Sequence, residues 1–574
     1  MRHWIWALPV GLLLAGCGGD EQPTSPASEN AAAPVAEPAG GTPFDPAAQA
    51  AAETITAEEI RTVVAAISAD SYGGRGPGTQ GDRMTQAYLA QALQAAGYEP
   101  GAPDGTYLQT FDLVGIDSDQ PDQWTFEGGE ASLTLAQNSE FIVGSGMQAD
   151  RSVVEDAELV FVGYGIQAPE YDWDDFKGQD LAGKVLVMLN NDPHWDEELF
   201  EGERRLYYGR WDYKYESAAR QGAAGAIIIH TPESAGYPWQ VVQTSWTGPQ
   251  FELPAADEPR MQIEAWVTEE AARQLFEQGG QDLDELVAAA RTRDFQPVPL
   301  GLSTSIAFSN ELTRVQSANV LGLLRGSDED LADEVVVYTA HHDHLGTAPA
   351  DSGLEDRIYN GARDNATGVA MVLEIARAFS ELEQPPSRSV LIAFVGAEEQ
   401  GLLGAKYFAR HPTVPAGKIA AAVNLDSGNI WGATRDITFV GKGKSTLDEV
   451  ADEVARHLDR TVRPDQSPDK GYYYRSDQFA LAKIGVPALY LKNGIDFIGK
   501  PEGWGQERVA EHTEAHYHQT SDELTEAWSF DGLVADAVFA FWAGYLVAND
   551  PELPAWAPGD EFEAARQEAL AELP

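Results

Sequence analysis

The sequence predicts an α/β protein with a mixed, mostly parallel central sheet sandwiched by helices, and with a β-rich domain inserted into it. From Ala318 onward, apolar strand-like runs alternate with helical stretches, which is the pattern of a parallel sheet with helical crossovers. Between residues 155 and 298 the pattern changes to short strand-like runs separated by Gly, Pro and acidic turns. The chain has a single cysteine, so packing must stabilise both parts without an internal disulfide framework.

The chain is strongly acidic. Its 91 Asp and Glu side chains outnumber its 38 Lys and Arg side chains and give a formal net charge of −53. Such a charge repels phosphate backbones and anionic membrane surfaces. We therefore expect no nucleic acid partner, and the acidity by itself does not identify a substrate.

Residues 1–17 have the features of a signal peptide. Arg2 precedes an apolar run, residues 4–15, that is too short to span a bilayer as a permanent helix. The segment ends in Leu14-Ala15-Gly16-Cys17, which resembles the bacterial lipoprotein processing box; the alternative is a chance cysteine after a signal peptide. We expect an exported protein that faces the periplasm or the cell exterior and meets the membrane only through a lipid at Cys17.

Composition divides the rest of the chain into five segments. The first is rich in Ala, Pro, Glu, Gly and Ser and is predicted to be a flexible tether. The second opens with a helix-capping box formed by Thr56 and Glu59 and begins the main domain. The tether, the first part of the main domain, the insert, the second part of the main domain and the C-terminal tail are predicted over residues 18–53, 54–154, 155–298, 299–549 and 550–574.

An apolar stretch near the C-terminus, residues 530–548, resembles a membrane span in composition. Asp531 and Asp536 interrupt it, and a central Asp would cost roughly 2.5 to 3.5 kcal/mol in lipid. The stretch is therefore predicted to be an amphipathic helix packed on the sheet.

Imidazole and carboxylate groups follow the predicted strands of the main domain. In an α/β sheet, ligands bind just beyond the carboxyl ends of the strands, so these groups should lie together. Zinc prefers nitrogen and oxygen ligands, and two zinc ions ~3.5 to 4 Å apart need a bridging carboxylate. The set that could hold such a pair, with Glu398 left over, is His341, Asp364, Glu399, Asp426 and His518.

Five spaced motifs make the chain recognisable. They are His-x-Asp, Gly-x-x-Asp-Asn-x-x-Gly, Gly-Ala-Glu-Glu-x-Gly, Asn-Leu-Asp and Tyr-His-x-x-x-Asp, in this order between Ala318 and about Asn549. They resemble the M28 family of zinc aminopeptidases, which implies a zinc-exopeptidase fold and two Zn²⁺ ions. By that resemblance Asp364 bridges the metals, His341 and Asp426 complete one site, Glu399 and His518 complete the other, and Glu398 is the general base.

Asp343 lies two residues beyond His341. It is predicted to orient a ligand imidazole as a supporting carboxylate, with a turn acceptor as the alternative. His342, His344 and His516 receive no role.

The segment Tyr474-Arg475-Ser476-Asp477-Gln478-Phe479 is similar to a family segment that lies beside the substrate. Arg475 and Asp477 are candidates for holding polar groups of the substrate, and a structural ion pair is the alternative. The family commonly has His where this chain has Gln478, which leaves the details of the pocket open.

The insert resembles the protease-associated domain found in many exopeptidases. The resemblance rests on Asp180-Leu181-Ala182-Gly183-Lys184-Val185 and on residues 221–229, a helix end that feeds an apolar strand. The insert is also rich in aromatic residues, which indicate either a core or a surface that covers the substrate.

These observations predict a di-zinc aminopeptidase that acts on peptides. A single-zinc aminoacyl transferase similar to glutaminyl cyclases, and a carboxypeptidase or dipeptidase, are the alternatives on the same fold. A third possibility is a binding protein that has kept the fold, although such relatives typically lose metal ligands and this chain has all five. The preferred residue and the oligomeric state stay open.

Overall fold

The structure is a computed structural model. It forms two units, residues 1–45 and 46–574, and the account below concerns the second unit. The predicted signal peptide, residues 1–17, and residues 18–43 of the predicted tether lie outside the described residues. The described residues are 44–128, 132–195, 199–246, 248–350 and 352–573.

The helices pack on both sheets of the molecule. Within the described residues the α-helices are α1 Pro46–Ala52, α2 Ala57–Ile67, α3 Gln80–Ala95, α4 Trp211–Arg220, α5 Pro232–Ala235, α6 Trp239–Ser245, α7 Glu269–Gln278, α8 Leu283–Ala289, α9 Thr367–Ser380, α10 Leu403–Arg410, α11 Leu447–His457, α12 Gln478–Ala482, α13 Trp504–Ala515, α14 Asp531–Asn549 and α15 Glu563–Ala571.

The strands form two large sheets and two small ribbons. Within the same residues they are β1 Glu99–Pro100, β2 Leu108–Ser118, β3 Gln123–Glu127, β4 Leu133–Ala136, β5 Phe141–Ser145, β6 Arg151–Phe161, β7 Gln167–Ala168, β8 Trp173–Asp174, β9 Val185–Leu189, β10 Gly225–His230, β11 Gln250–Glu252, β12 Ile263–Thr268, β13 Val298–Leu324, β14 Val335–His341, β15 Gly346–Thr347, β16 Ile358–Tyr359, β17 Ser389–Val395, β18 Ile419–Leu425, β19 Asp436–Val440, β20 Thr461–Pro464 and β21 Ala488–Asn493.

The first sheet has a parallel centre. Strands β17, β14, β18 and β21 run parallel in that order. Antiparallel strands flank them, with β13 beside β17 and β19 beside β21. Every residue of β14, β17 and β18 is buried, which explains their continuous apolar sequences. The predicted mixed, mostly parallel sheet between helices is confirmed.

Helix α14 belongs to the core. It is the one helix in the described part of the chain whose length and composition would suit a membrane span, yet 67% of its apolar window is buried inside the fold. Asp536 on this helix forms a buried ion pair of 2.7 Å with Arg460. The Tyr338 hydroxyl on β14 donates a hydrogen bond of 2.9 Å to the Ala540 carbonyl, so the predicted packing against the sheet is confirmed. The prediction of an amphipathic helix is wrong, because no residue from Gly532 to Ala548 is exposed.

The second sheet lies within the predicted insert and extends beyond it. Strands β6, β9, β10 and β12 run parallel, and β5 and β3 continue the sheet in antiparallel pairings with β12 and β13. The sheet thus begins at Gln123, before the predicted boundary of 155, and ends within β13 at Ser309, which pairs with Arg151. The second half of β13 belongs to the first sheet. Because one continuous strand serves both sheets, composition gives no boundary at residue 298.

Two segments predicted to be outside the core are packed. Helix α1 lies in the predicted tether and buries Ala48, Ala51 and Ala52. Alanine has a high helix propensity, and its small side chain allows close packing without a large apolar residue. In the predicted tail, the indole of Trp556 is buried and donates a hydrogen bond of 3.0 Å to the Gly485 carbonyl.

Candidate metal centre and substrate cavity

The five predicted metal ligands lie close together around Asp364. Asp364 Oδ1 is 3.3 Å from His341 Nε2, and Asp364 Oδ2 is 3.5 Å from His518 Nε2. On one side, Asp426 Oδ1 is 3.5 Å from His341 Nε2. On the other side, Glu399 Oε2 is 2.9 Å from His518 Nε2. The two oxygens of Asp364 therefore face two different imidazole and carboxylate pairs.

Strand ends bring these residues together. His341 is the last residue of β14, Asp426 directly follows β18, and Glu399 follows β17 after a short loop. Asp364 lies in the turn Ala362–Ala366, immediately before α9, and its backbone is not helical; His518 follows α13. Parallel neighbouring strands place their carboxyl ends at the same edge of the sheet, which is the reason that distant sequence segments meet here.

The carboxylates of the site raise the pKa of the imidazoles that they surround. Burial alone would lower the pKa of His518, but the negative charge of Glu399 and the close approach of the Asp364 and Glu399 carboxylates raise it to about 10. Burial alone would raise the pKa of Glu399, but His518 and His344 lower it to about 2. Asp364 likewise has a pKa well below its ordinary value, because its close contacts with the His341 and His518 imidazoles outweigh its burial.

The donor atoms suit zinc. Imidazole nitrogen and carboxylate oxygen are ligands that zinc takes in catalytic sites. His341, Asp364 and Asp426 present donor atoms that all lie within 4.8 Å of one another. His518 Nε2 is buried, points at the carboxylates and makes no hydrogen bond of good geometry. A cation between these groups would satisfy the buried nitrogen, so the residues fit the metal pair that the sequence predicts.

His344 also reaches the site, although no sequence motif assigns it a role. Its Nδ1 is 2.6 Å from Glu399 Oε1, and His344, Asp364 and Glu399 form a second cluster with donor atoms within 4.8 Å. The short contact to Oε1 leaves Oε2 facing His518. We therefore interpret His344 as the residue that fixes the Glu399 carboxylate and His518 as the ligand.

Glu398 lies at the open side of the site. Its Oε2 is 4.0 Å from His341 Nε2, and burial raises its pKa well above the ordinary value. Asp343 accepts hydrogen bonds from the backbone N–H groups of Glu398 at 3.0 Å and of Glu399 at 3.3 Å. Asp343 Oδ1 is 3.9 Å from His341 Nδ1, too far for a hydrogen bond. The structure thus shows Asp343 holding the Glu398–Glu399 loop rather than bonded to the imidazole.

Asp522 fixes the Asp364 loop from a distant part of the chain. Its carboxylate accepts hydrogen bonds from the backbone N–H of Arg363 at 3.0 Å and of Asp364 at 3.0 Å. The Tyr-His-x-x-x-Asp motif contains this residue, but the motif alone does not show what the aspartate holds.

Arg75 supports two of the site's loops from the N-terminal segment. Its buried guanidinium donates to the backbone carbonyls of His342 at 2.8 Å, Asn360 at 2.6 Å and Gly361 at 2.9 Å. The neighbouring Gly74 has φ +67°, and a Cβ there would lie 2.2 Å from the Gly346 carbonyl oxygen. The glycine-rich segment around Arg75 is therefore a structural turn that places the Arg75 guanidinium against the loops beside the predicted metal ligands.

Arg475 and Asp477 do not pair with each other in the described structure. The Arg475 guanidinium donates to the carbonyl of Ala235 and lies over the rings of Tyr237 and Tyr472. Both carboxylate oxygens of Asp477 are buried without a hydrogen bond, and burial raises its pKa to about 8. Arg475 lines the cavity beside the predicted metal ligands and also anchors the insert through Ala235; its contact with substrate stays a prediction.

Gln478 is part of the scaffold. Its side chain is fully buried, accepts a hydrogen bond of 2.8 Å from Asn424 Nδ2 and donates one of 2.5 Å to the Tyr473 carbonyl. The departure from the family's usual His therefore changes a contact behind the cavity wall.

Four of the predicted metal ligands, His341, Asp364, Glu399 and Asp426, line a cavity of about 700 Å³. The insert contributes Gly236, Tyr237 and Pro238 to its wall. Ser245, at the end of α6 in the insert, places its hydroxyl 2.9 Å from His518 Nδ1. The insert thus both covers the cavity and contacts a predicted metal ligand.

Most aromatic residues of the insert build its core. Tyr213 and Tyr215 are buried, and Trp211 and Trp246 pack at 5.9 Å between ring centroids. Tyr237 is the aromatic residue of the insert that lines the cavity.

Comparisons with known proteins agree with this geometry. Residues 319–541 match the sequence model of Peptidase family M28. Leupeptin-inactivating enzyme 1 of Streptomyces exfoliatus is 28% identical over 209 residues, which cover 35% of this chain and 44% of that protein. A probable zinc metalloprotease of Pyrenophora tritici-repentis is 37% identical over 112 residues, 20% of this chain and 24% of that protein. The chain thus aligns with less than half the length of these curated relatives.

A solved structure has a similar fold. The aminopeptidase from Aneurinibacillus sp. strain AM-1 superposes with a TM-score of 0.51 at 19% sequence identity, covering 88% of this chain and 97% of that chain. That likeness concerns the fold. The segment 319–541, which carries the five motifs at the strand ends, is the part of the chain that matches peptidase family M28.

Proposed function

We propose that the protein is a metallopeptidase that uses two zinc ions to remove residues from the amino ends of peptides. The observation that carries this proposal is the position of Asp364, whose two oxygens face His341 and His518 at 3.3 and 3.5 Å. A carboxylate between two ligand sets is what a metal pair requires, whereas a single-zinc transferase needs one set only. This favours hydrolysis over the cyclase-like alternative.

The chain's own residues have separate tasks. His341 and Asp426 would hold one zinc, Glu399 and His518 the other, and Asp364 would bind both. When bound, the two ions supply Lewis-acid activation of a water molecule and polarise the substrate carbonyl.

Glu398 is positioned to move the proton. It would accept a proton from the attacking water and deliver it to the nitrogen of the departing amine. Burial raises its pKa, which brings the carboxylate closer to the neutral range in which a general base both accepts and releases a proton. Asp343 keeps this base in place through the backbone N–H groups of Glu398 and Glu399.

We also propose that the insert is a protease-associated domain that limits access to the cavity. The support is its contribution of Tyr237 to the cavity wall and the contact of Ser245 with His518. Replacing Tyr237 with Ala should change the relative rates for dipeptides and longer peptides. Equal changes for all peptide lengths would count against a role in access.

Export and lipid attachment remain proposals based on residues 1–17. Expression in a bacterium with radioactive palmitate should label the wild-type protein and leave a Cys17→Ala variant unlabelled. Label in both variants would exclude Cys17 as the anchor.

The test of the function uses paired peptides with free and N-acetylated amino ends. The protein is stripped with a chelator, reloaded with zinc and assayed for released amino acids. We expect zinc-restored release from free amino ends only, and its loss in Glu398→Ala with zinc binding retained. Release from the carboxyl end of acetylated peptides would instead identify a carboxypeptidase, and cleavage of dipeptides alone would identify a dipeptidase.

A further inference from the structure

The paired strands β19 and β21 form one wall of the cavity, beside the predicted metal ligand Asp426. The Tyr490 hydroxyl donates a hydrogen bond of 3.2 Å to Asp426 Oδ2. Lys492 lies two residues further along β21, so its side chain is on the same face of the sheet as Tyr490. On the paired strand β19, Val440 lies opposite Tyr490 and Thr438 opposite Lys492. All four residues line the cavity.

This register places Lys492 at a defined distance from the reaction. Two residues along a strand span about 6.8 Å, roughly the length of two backbone residues in an extended peptide. Lys492 therefore lines the same cavity as the predicted metal ligands, on the side of the site marked by Asp426.

Tyrosine rings hold the Lys492 side chain. The amine lies 4.8 Å from the ring centroid of Tyr472 and 5.3 Å from that of Tyr490. Across the described residues, it forms neither a hydrogen bond nor an ion pair with a protein oxygen. Asp426, Asp364 and Asp465 attract the ammonium group through space, but none of them is in ion-pair contact with it. An ammonium group held beside aromatic rings without a contacting carboxylate can bind an anion from solution.

The other cations at the cavity differ in this respect. Each of them donates to a backbone carbonyl of the protein: Lys470 to Glu233, Arg475 to Ala235 and Arg363 to Gly428. In a chain with a net charge of −53, Lys492 is therefore the cavity cation that is left for the substrate.

We propose that Lys492 binds a carboxylate group of the substrate. The inference rests on the proposed function and defines its substrate class, namely peptides that carry a carboxylate near the cleaved bond. Two sources have this chemistry: the side chain of an Asp or Glu residue, and the free carboxyl end of a dipeptide. A carboxylate that meets the ammonium in a partly enclosed cavity forms a charge-assisted hydrogen bond, which is stronger than a neutral one.

Two matched substrate pairs test the proposal and separate the sources. Glu-Ala-amide against Gln-Ala-amide reports on an acidic side chain, and Ala-Ala against Ala-Ala-amide reports on the free carboxyl end. The zinc-loaded full-length protein is assayed for kcat/KM on all four. We expect one pair to show a preference of roughly tenfold to a hundredfold for the carboxylate member, the size of a hydrogen bond to a charged group.

Variants then assign the preference to Lys492. Lys492→Met removes the charge and keeps the length of the side chain, so the ratio within that pair should fall to about one. The matched control is Lys418→Met, which removes the same charge on the surface beside Asp333, 3.4 Å away. The control should keep the wild-type ratio. Lys492→Gln serves as a second variant if the Met variant does not fold.

The outcomes separate this inference from the proposed function. Cleavage of the neutral amides without a carboxylate preference in either pair would overturn the role of Lys492 and leave the peptidase intact. A preference that persists in Lys492→Met and Lys492→Gln would also overturn it. If the zinc-loaded protein cleaves none of the four substrates, the proposed function fails, and this inference fails with it.

Discussion

Removal of the Asp522 carboxylate should weaken both the fold and the metal site. Asp522 is buried and accepts the backbone N–H groups of Arg363 and Asp364. In Asp522→Ala both buried donors lose their acceptor, at ~1 to 3 kcal/mol each, so we expect a loss of about 2 to 6 kcal/mol in the free energy of unfolding. The Asp364 loop would also lose its orientation, and zinc affinity should fall roughly 10- to 100-fold.

Urea denaturation of the zinc-free protein and competitive zinc titration measure the two effects separately. Asp522→Asn keeps one acceptor oxygen and should lose less than Asp522→Ala in both assays. Asp330→Ala removes an exposed aspartate with no bonded side chain and should match the wild type. A change below 1 kcal/mol for Asp522→Ala, together with unchanged zinc affinity, would refute the idea that this residue holds the bridging ligand.

Three further predictions concern the metal site and the core. Ser245→Ala should lower zinc affinity by roughly tenfold or more, because it removes the 2.9 Å contact to His518 Nδ1, and a zinc titration with unchanged affinity would contradict this. The pKa of His518 is raised to about 10 in the zinc-free protein, so this imidazole is protonated at pH 7 and zinc must displace the proton. The apparent zinc affinity should therefore rise about tenfold per pH unit between pH 7 and 9. A zinc affinity that does not change with pH would exclude the protonated state. Asp536→Ala leaves Arg460 without its buried partner and should cost about 3 to 5 kcal/mol in urea denaturation; a loss below 1 kcal/mol would show that the pair is not part of the core.

Local sequence patterns predicted the parallel sheet and the cluster of imidazole and carboxylate side chains at its edge. Strands β14, β17 and β18 are buried on both faces, so their sequences are nearly continuous apolar runs that can be recognised without a structure. The ligands follow directly at the carboxyl ends of these strands, and the general topology of such sheets brings those ends together. The His341, Asp364 and Asp426 cluster is thus encoded by short-range signals.

The supporting contacts could not be predicted in the same way. Ser245 and His518 are 273 residues apart, and no sequence motif indicates that the two side chains are in contact. Arg75 reaches the Gly361 carbonyl across 286 residues, where the sequence shows only a glycine-rich turn. Such contacts depend on how the insert and the N-terminal segment pack on the sheet, which is a property of the assembled fold.

The passage from the insert to the main domain could not be located from the sequence for a related reason. In β13, alternate residues are buried in the first half and a continuous run is buried in the second half. The change marks the passage from a half-exposed sheet to a buried one, but the strand itself is unbroken. A scan for turns and composition therefore places the boundary at residue 298, where this strand begins, and does not detect the passage between the two sheets.

The central claim is that two zinc ions work together at Asp364. The most direct test is activity on a peptide with a free amino end, measured while zinc is added stepwise to the stripped protein at a concentration well above the dissociation constants. Our account predicts that activity rises until two zinc ions per chain are bound and that Asp364→Asn reduces the number of bound ions together with the activity. Full activity at one zinc ion per chain, or none at two, would contradict it.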